Sequence, residues 1–311
     1  MQTLTPFTRN LARSTCKLRA GSLSAVSSRW NHTGPSGSTE SSSASSRTTH
    51  FGFQTVPEDQ KESMVRHVFD SVASKYDLMN DAMSMGVHRI WKDEFVGSLK
   101  PGAKGPMRCI DVAGGTGDIA LRILDHAREK YADRETSVVV TDINGEMLKE
   151  GYKRFKKTMY HNTPQVAFIE GNAQCLPKEQ FPDNTFDLYT IAFGIRNTTS
   201  PAEVLQEAYR VLKPGGVFAC LEFSKVTNPL FGMAYDKYSF SVIPILGTIL
   251  AGDRESYQYL VESIRRFPPQ PEFAQMISDA GFAVGGMHEG KGGAWTDLWG
   301  GIAAIHKGVK L

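Results

Sequence analysis

The run Cys109-Ile110-Asp111-Val112-Ala113-Gly114-Gly115-Thr116-Gly117-Asp118-Ile119-Ala120, CIDVAGGTGDIA, puts Gly114, Gly115 and Gly117 directly after an apolar segment. An apolar strand that breaks into glycines and resumes as a helix reads as the first strand-to-helix turn of a doubly wound sheet. Ligands of such sheets sit beyond the carboxyl ends of the strands. Glycine there admits unusual dihedrals and lets a ligand approach the main chain.

Outward from this loop, strands and helices alternate. MRCIDVA, SVVVTDI, QVAFIEGNA, FDLYTIAFGI and GGVFACLEF read as strands, with GDIALRILDHAREKY and GEMLKEGYKRFKKTM as helices between the first of them. Alternation of this kind predicts right-handed crossovers and a parallel sheet. The helix before GGVFACLEF carries its own signals. Ser200 suits the N-cap, Pro201 the first turn and Glu203 a capping box, while Lys213-Pro214-Gly215-Gly216 predicts a Pro-Gly stop. A helix from Pro271 to Gly281 precedes two strand-like runs, FAVGGMHE and LWGGIAAIHKG, which predict a closing antiparallel hairpin. The expected fold is α/β and Rossmann-like: a doubly wound, mostly parallel seven-stranded sheet with a C-terminal antiparallel hairpin. Val65, Val68, Phe69, Val72 and Tyr76 recur at helical spacing and predict an N-terminal helical cap, with Arg66 between them on the polar side.

The ends of the chain differ in kind. Before Glu40 there is no acidic residue, while Arg9, Arg13, Lys17, Arg19 and Arg29 are spread among Ser, Thr, Leu and Ala. That composition predicts a mitochondrial transit peptide over residues 1–30, in preference to a basic tail without an address. A Ser/Thr/Gly-rich linker over 31–54 and a folded domain over 55–311 follow. Loss of residues 1–39 removes five positive charges and no negative ones, turning the formal +2 into −3, so no basic stripe is left for nucleic acid. Cys16, Cys109, Cys175 and Cys220 form no Cys-x-x-Cys pair, which predicts thiols and no metal site. A helical insertion is expected over about 227–265. Its apolar part, Phe240 to Ala251, is broken by Pro244 and Gly247 and is too short for the roughly 20 residues of a membrane span. It reads either as core or as an apolar cover over a lipophilic substrate.

Two ligand classes compete for the loop. Gly115 to Ala120 fits G-x-G-x-x-A, the pattern of an NAD- or FAD-dependent oxidoreductase. Against a pyrophosphate stands Asp118, a carboxylate at the helix N-terminus where a phosphate needs positive potential. S-adenosylmethionine, a sulfonium without phosphate, is not penalised in this way. Asp142 ends the second strand, where a carboxylate accepts from ribose hydroxyls in either class. Asn172 and Ala173 follow the third strand as candidates for the adenine edge, or as a plain Gly-Asn turn.

The sequence resembles the ubiquinone/menaquinone biosynthesis C-methyltransferases, a family of class I S-adenosylmethionine-dependent enzymes. The resemblance rests on Tyr76-Asp77-Leu78-Met79-Asn80 continuing through Ser84 and His88 to Trp91, and on Arg210-Val211-Leu212-Lys213-Pro214-Gly215-Gly216 continuing to Glu222 and Ser224. FGIRN at Phe193 to Asn197 and SYQYLVESIRRFPPQ add to it, and it spans roughly Thr55 to Gly308. It implies methyl transfer from S-adenosylmethionine to a ring carbon of a polyprenylated benzoquinol in coenzyme Q synthesis. Thr116, Asp142, Asn172 and Ala173 are implied as cofactor contacts, with Asp111, Gly115 and Gly117 shaping the loop. Ala192 stands where bacterial relatives often have serine, so no contact is expected of it. A homodimer is also implied, with membership of a multi-subunit coenzyme Q complex and peripheral attachment to the matrix face of the mitochondrial inner membrane. A non-catalytic subunit of such a complex is the remaining alternative.

Ring methylation needs electron density from an ionised quinol hydroxyl and a route for one proton. Arg196 is the candidate for electrostatic stabilisation, since a guanidinium stays charged and is no base. Asn197 is the candidate to orient a water and Tyr76 a further catalytic candidate in the cap. His88 has a pKa suited to proton transfer, but a lone histidine there reads more simply as structural, and Trp91 as core.

Overall fold

Period-two alternation within the quoted strands builds the core. Cys109, Val138, Val140, Leu188, Ala219 and Leu221 are buried on one face of the sheet, and Ile110, Val112, Tyr189, Ile191, Phe218 and Cys220 on the other. A strand buried on both faces is the mark of a parallel sheet covered by helices. The computed structural model describes residues 48–72, 80–81, 84–227, 232–233, 254–290 and 292–311. The segment read as a transit peptide, Tyr76, and the apolar run Phe240 to Ala251 lie outside these residues. Among the described residues no helix is long and apolar enough to cross a membrane.

In chain order the elements are β1 (Thr48–Phe51), β2 (Gln54–Pro57), α1 (Glu58–Val72), α2 (Val87–Leu99), β3 (Arg108–Val112), α3 (Asp118–Tyr131), β4 (Ser137–Asp142), α4 (Gly145–Phe155), β5 (Val166–Glu170) and β6 (Phe186–Ala192). A 3₁₀ turn (Ile195–Asn197), α5 (Pro201–Val211), β7 (Leu212–Phe223), α6 (Arg254–Arg266), α7 (Gln270–Asp279), β8 (Phe282–Ala283), β9 (Gly286–Glu289), β10 (Gly293–Leu298) and β11 (Ala303–Lys310) complete them. The strand order β5-β4-β3-β6-β7-β11-β10-β9 is that of a doubly wound sheet, parallel from β5 through β7. Helices α2, α3 and α4 supply Phe95, Ile123, Leu148 and Phe155 to one core layer, and α5 and α7 supply Leu205, Ala208, Phe273 and Ile277 to the other.

Four local expectations change. Among the described residues the sheet has nine strands rather than seven. Its antiparallel hairpin is β10 with β11, closed at Trp299 to Ile302, and β11 wedges between β10 and β7. The run FAVGGMHE divides into β8, which pairs with β11, and β9, which pairs parallel with β10. The stretch read as linker ends in strand, because Thr48–Phe51 pairs antiparallel with Gln54–Pro57. Lys213 to Gly216 forms an irregularity inside β7, whose partners step from Leu212 opposite Phe186 to Val217 opposite Leu188.

Ser200 caps α5 as its sequence predicts, accepting from the Glu203 N–H at 3.3 Å. The Glu203 carboxylate does not close a capping box. It accepts from Gln174 Nε2, and Gln174 Oε1 takes the N–H groups of Thr199 and Ser200. Ser200→Ala is expected to cost about 1 kcal/mol, the usual loss of an N-cap, and a thermal melt should show a fall of about 2–4 °C. Cys109 and Cys220 are buried thiols, and burial pushes both up.

Candidate functional site

The glycine loop leaves β3 in a tight path. Gly114 N–H donates to Thr141 O at 3.1 Å and Gly117 N–H to Gly114 O at 2.8 Å. A Cβ at Gly114 would lie 2.8 Å from Asp111 Oδ2 and from Val140 Cγ1, so close approach to β3 and β4 excludes a side chain. Gly117 caps α3 with φ of 73°, a left-handed conformation suited to glycine. The loop thereby faces an open cleft of about 1120 Å³, including solvent at its mouth, at the carboxyl ends of the parallel strands.

The lining of the cleft follows the strand order. Asn172 and Ala173 come from beyond β5, Asp142 and Ile143 from the end of β4, Asp111 and residues 113–116 from β3 and its loop, Ala192 from the end of β6, and Phe193 and Asn197 from beyond it. All cofactor candidates except Gly117 thus line one cleft; Gly117 instead shapes the loop. Asp142 Oδ2 accepts from Gly115 N–H at 2.9 Å and its Oδ1 from Asn144 N–H at 2.8 Å. Each oxygen retains acceptor capacity beyond these bonds. Burial pushes its pKa up to about 6 despite those donors. Asp111, one strand over, is buried against the Thr190 hydroxyl at 2.8 Å, and burial raises its pKa to about 7. Thr116 is buried in the loop. Asn172 is both site and turn: its Oδ1 accepts from Gln174 N–H and its Nδ2 donates to Glu62.

Helix α1 closes one side of the cleft through Glu62, Val65, Arg66 and Phe69, which share one helix face by their spacing. Besides the Asn172 bond, Lys61 Nζ donates to Thr198 O at 2.7 Å and Asn144 Nδ2 to Asp70 at 2.9 Å. Burial brings the Lys61 ammonium down to about 8. The cap expected from the apolar spacing therefore exists, and Arg66, read as part of its polar side, faces the cleft.

Arg196 is placed differently from its expectation. It is not among the residues lining the cleft. Its side chain is 4% exposed, and Nη1 donates to Glu222 Oε1 at 2.7 Å and to Phe193 O at 2.5 Å. Nε donates to Ser263 at 3.3 Å, and the guanidinium lies 5.3 Å from the centre of the Phe223 ring. Burial raises the Glu222 carboxyl, against the pull of Arg196. The arginine thus joins β7, α6 and the turn after β6, and direct contact with a substrate in this cleft is not what the geometry offers. The neighbouring Asn197 does line the cleft, with Oδ1 accepting from Tyr259 OH at 3.2 Å.

Residues of the first sequence signature that are described have structural work. Ser84 donates to Asn80 O, His88 pairs with Asp81 at 2.9 Å, and Trp91 packs in the core against Phe193, Phe223 and Trp299. Asp118 lines the cleft, but Lys92 at 2.9 Å, Arg154 at 3.4 Å and Arg122 at 3.6 Å surround it. Burial alone would raise its pKa; these cations hold it below the usual range. A carboxylate so compensated is a weaker argument against pyrophosphate than its position in the sequence suggests. Lys92 and Gln174 also line the cleft and carried no sequence signal, since each reaches it from an element remote from the glycine loop. Among the described residues no group of three His, Cys, Asp or Glu is placed to hold a metal.

Comparison with known proteins decides what the loop leaves open. The family model described as the ubiE/COQ5 methyltransferase family matches residues 56–310. The mitochondrial 2-methoxy-6-polyprenyl-1,4-benzoquinol methylase of Schizosaccharomyces pombe is 57% identical over 275 residues, covering 88% of each chain. The ubiquinone/menaquinone biosynthesis C-methyltransferase UbiE of Roseobacter denitrificans is 50% identical over 267 residues, covering 86% of this chain and 98% of its own. A solved SAM-dependent methyltransferase of Thermotoga maritima, described as a possible histamine N-methyltransferase, shares the fold with a TM-score of 0.51 at 18% identity, covering 79% of this chain and all of that one. A match that runs from the second strand to the last resolves the contest between dinucleotide and methyl donor, and the chain belongs to the ubiE/COQ5 methyltransferase family, whose donor is S-adenosylmethionine.

Proposed function

We propose that the protein transfers a methyl group from S-adenosylmethionine to a ring carbon of 2-methoxy-6-polyprenyl-1,4-benzoquinol in ubiquinone biosynthesis. The observation that carries this reading is the cleft at the strand ends in a chain 57% identical to a relative named for that reaction. The donor set suits an adenosyl group: a carboxylate at Asp142 for the ribose, Ala173 and Asn172 for the base, and Ile143 and Met147 as apolar walls. Asp111, Gly115, Thr116 and Gly117 keep the loop in shape around it.

Bound S-adenosylmethionine supplies an electrophilic methyl group. The chain's own contribution is to hold the quinol carbon in line and to exclude water, and alignment of this kind is worth up to about 7–11 kcal/mol. The ring carbon gains the methyl group and loses one proton, which we assign to a water oriented by Asn197. Arg196 acts through position: its bonds to Phe193 O and Glu222 fix the turn that carries Asn197. Tyr76 is retained as a catalytic candidate from the family signature.

Residues 1–30 are assigned as a mitochondrial presequence, 31–47 as a segment leading to the domain, which opens with β1 at Thr48, and about 227–265 as an insertion. We place the enzyme at the matrix face of the inner membrane, peripherally bound, as a homodimer within a multi-subunit coenzyme Q complex. The mitochondrial names of several relatives support the compartment.

Incubation with isotopically labelled methyl donor and a short-chain methoxybenzoquinol should place the label on a ring carbon. Label on oxygen, or none from protein that binds S-adenosylhomocysteine, overturns the proposal. Calorimetry also separates the classes: NADH binding without any response to S-adenosylhomocysteine would favour an oxidoreductase. Ribose hydroxyls donate best to an ionised carboxylate, so affinity for S-adenosylhomocysteine is expected to fall as the pH drops through about 6, where Asp142 protonates. Asp142→Asn should abolish this pH dependence in a calorimetric series. Stability without ligand has the opposite sign, because a raised carboxyl pKa favours the folded state at low pH, a benefit lost as pH rises through about 6.

A further inference from the structure

Tyr259, within SYQYLVESIRRFPPQ on α6, is a buried phenol whose hydroxyl has one partner among the described residues, Asn197 Oδ1 at 3.2 Å. Its ring is stacked on Phe51 of β1, with centroids 4.3 Å apart and planes 19° apart, so a second element holds it in place. Burial pushes its pKa up to about 12 against the pull of Arg196, and the group stays a protonated donor.

That donor settles which way the Asn197 amide faces. A side-chain amide can offer a hydroxyl either its oxygen or its NH2. With the NH2 turned toward Tyr259, the phenolic O–H would have no acceptor among the described residues, and a buried donor left unpaired is costly. With Oδ1 taken by Tyr259, Asn197 keeps Nδ2, which has no partner among the described residues, at the part of the cleft beyond β6. The main chain of this turn is pinned separately: Thr49 Oγ1 donates to Thr199 O at 3.3 Å and Lys61 Nζ to Thr198 O at 2.7 Å. The tyrosine therefore adds the rotation of the amide to a turn already fixed.

Two N–H donors with no acceptor beside them suit a charged oxygen better than a neutral hydroxyl, whose own proton would also need a partner. A ring carbon of a quinol becomes nucleophilic when a ring oxygen is ionised, and a preorganised donor aimed at that oxygen favours the ionised form. One N–H can serve the quinol oxygen and the other the water assigned above.

We infer that Tyr259 is a positioning residue for methyl transfer: by donating to Asn197 Oδ1 it turns both amide N–H groups toward the cleft, where one donates to an ionised ring oxygen of the quinol. The inference rests on the role given to Asn197 in the function proposed above.

The test uses a short-chain methoxynitrophenol, a quinol analogue whose visible absorbance reports its ionisation, bound to full-length protein saturated with S-adenosylhomocysteine. In wild-type protein the ratio of phenolate to phenol at a fixed pH is expected to exceed that in water by about 10- to 100-fold, the effect of one charge-assisted hydrogen bond. Tyr259→Phe keeps the ring on Phe51 and removes only the hydroxyl. It should cut the ratio by about 10-fold and leave S-adenosylhomocysteine affinity within about 3-fold, the scatter expected when a contact is not touched. Asn197→Leu should cut the ratio at least as far, and Tyr259→Phe added to it should change nothing more, because the tyrosine acts through the amide. An unchanged ratio in Tyr259→Phe overturns the inference, as does an effect of Tyr259→Phe that persists beside Asn197→Leu. Asn197→Asp replaces the cleft-facing N–H groups by a carboxylate oxygen, so the ratio should fall below that in water; a ratio kept at the wild-type value overturns the inference whether or not Tyr259→Phe folds. Failure of wild-type protein to methylate a short-chain methoxybenzoquinol would instead sink the reading of the function.

Discussion

Arg196→Ala is expected to lower the melting temperature by about 6–20 °C, the equivalent of the roughly 3–5 kcal/mol lost when one partner of a buried ion pair is removed. Glu222 is 1% exposed and takes its only cation from Arg196 among the described residues, so the substitution leaves a buried carboxylate with backbone N–H donors, from Phe223 and residue 196, but no counter-charge. It also strips Phe193 O and Ser263 of a donor, at the turn that carries Asn197. The sign with pH follows from Glu222, whose pKa is already raised by burial and rises further without the guanidinium. A raised carboxyl pKa contributes stability below the unfolded value and loses it as pH rises, so the variant should lose more at about pH 8 than at about pH 5. Thermal melts of Arg196→Ala, Glu222→Gln and the double variant at both pH values give the coupling between the two. Additive effects would show that the pair does not act as a unit. Turnover must be read at a temperature where the variant is folded; full turnover there would remove Arg196 from the mechanism even as a positioning residue.

Asp142→Ala is expected to weaken S-adenosylhomocysteine at least about 100-fold, from loss of one to two charge-assisted hydrogen bonds to the ribose. The effect has a second source within the protein. The carboxylate accepts from Gly115 N–H and Asn144 N–H, so alanine leaves two amides unanswered on either side of the site, one of them in the glycine loop. Asp142→Asn separates the two sources, because the amide oxygen can still serve one N–H while the charge is gone. Calorimetry on both variants checks the claim. Unchanged affinity in Asp142→Ala would mean that the donor does not use the end of β4.

The two predictions differ in how much of them a reader of the sequence could foresee. Asp142 announces itself: a carboxylate ending the strand after a glycine loop is placed by the fold alone, and the structure puts it against that loop. Arg196 has the right family context but the wrong surroundings, because its partner Glu222 is on β7 and its third contact, Ser263, on α6. No local pattern encodes a pairing across 26 or 67 residues. Arg66 and Lys92 went unrecognised for the same reason: each belongs to a helix whose polar side looks solvated until the strand ends are set beside it.

What the sequence determined by itself is whatever depends on neighbours in the chain. The period of two in β3, β4 and β6, the glycine conformation at Gly117, the Ser200 cap and the alternation of strand with helix are local steric and hydrogen-bonding effects, and they carry the fold class and the place of the cleft. The tertiary structure alone decided which of two candidate strands closes the sheet, with β11 entering between β7 and β10, and which cations reach the cleft. Those choices are made by burial and charge pairing between segments far apart in sequence, whose free energy exists only once the chain has been brought together.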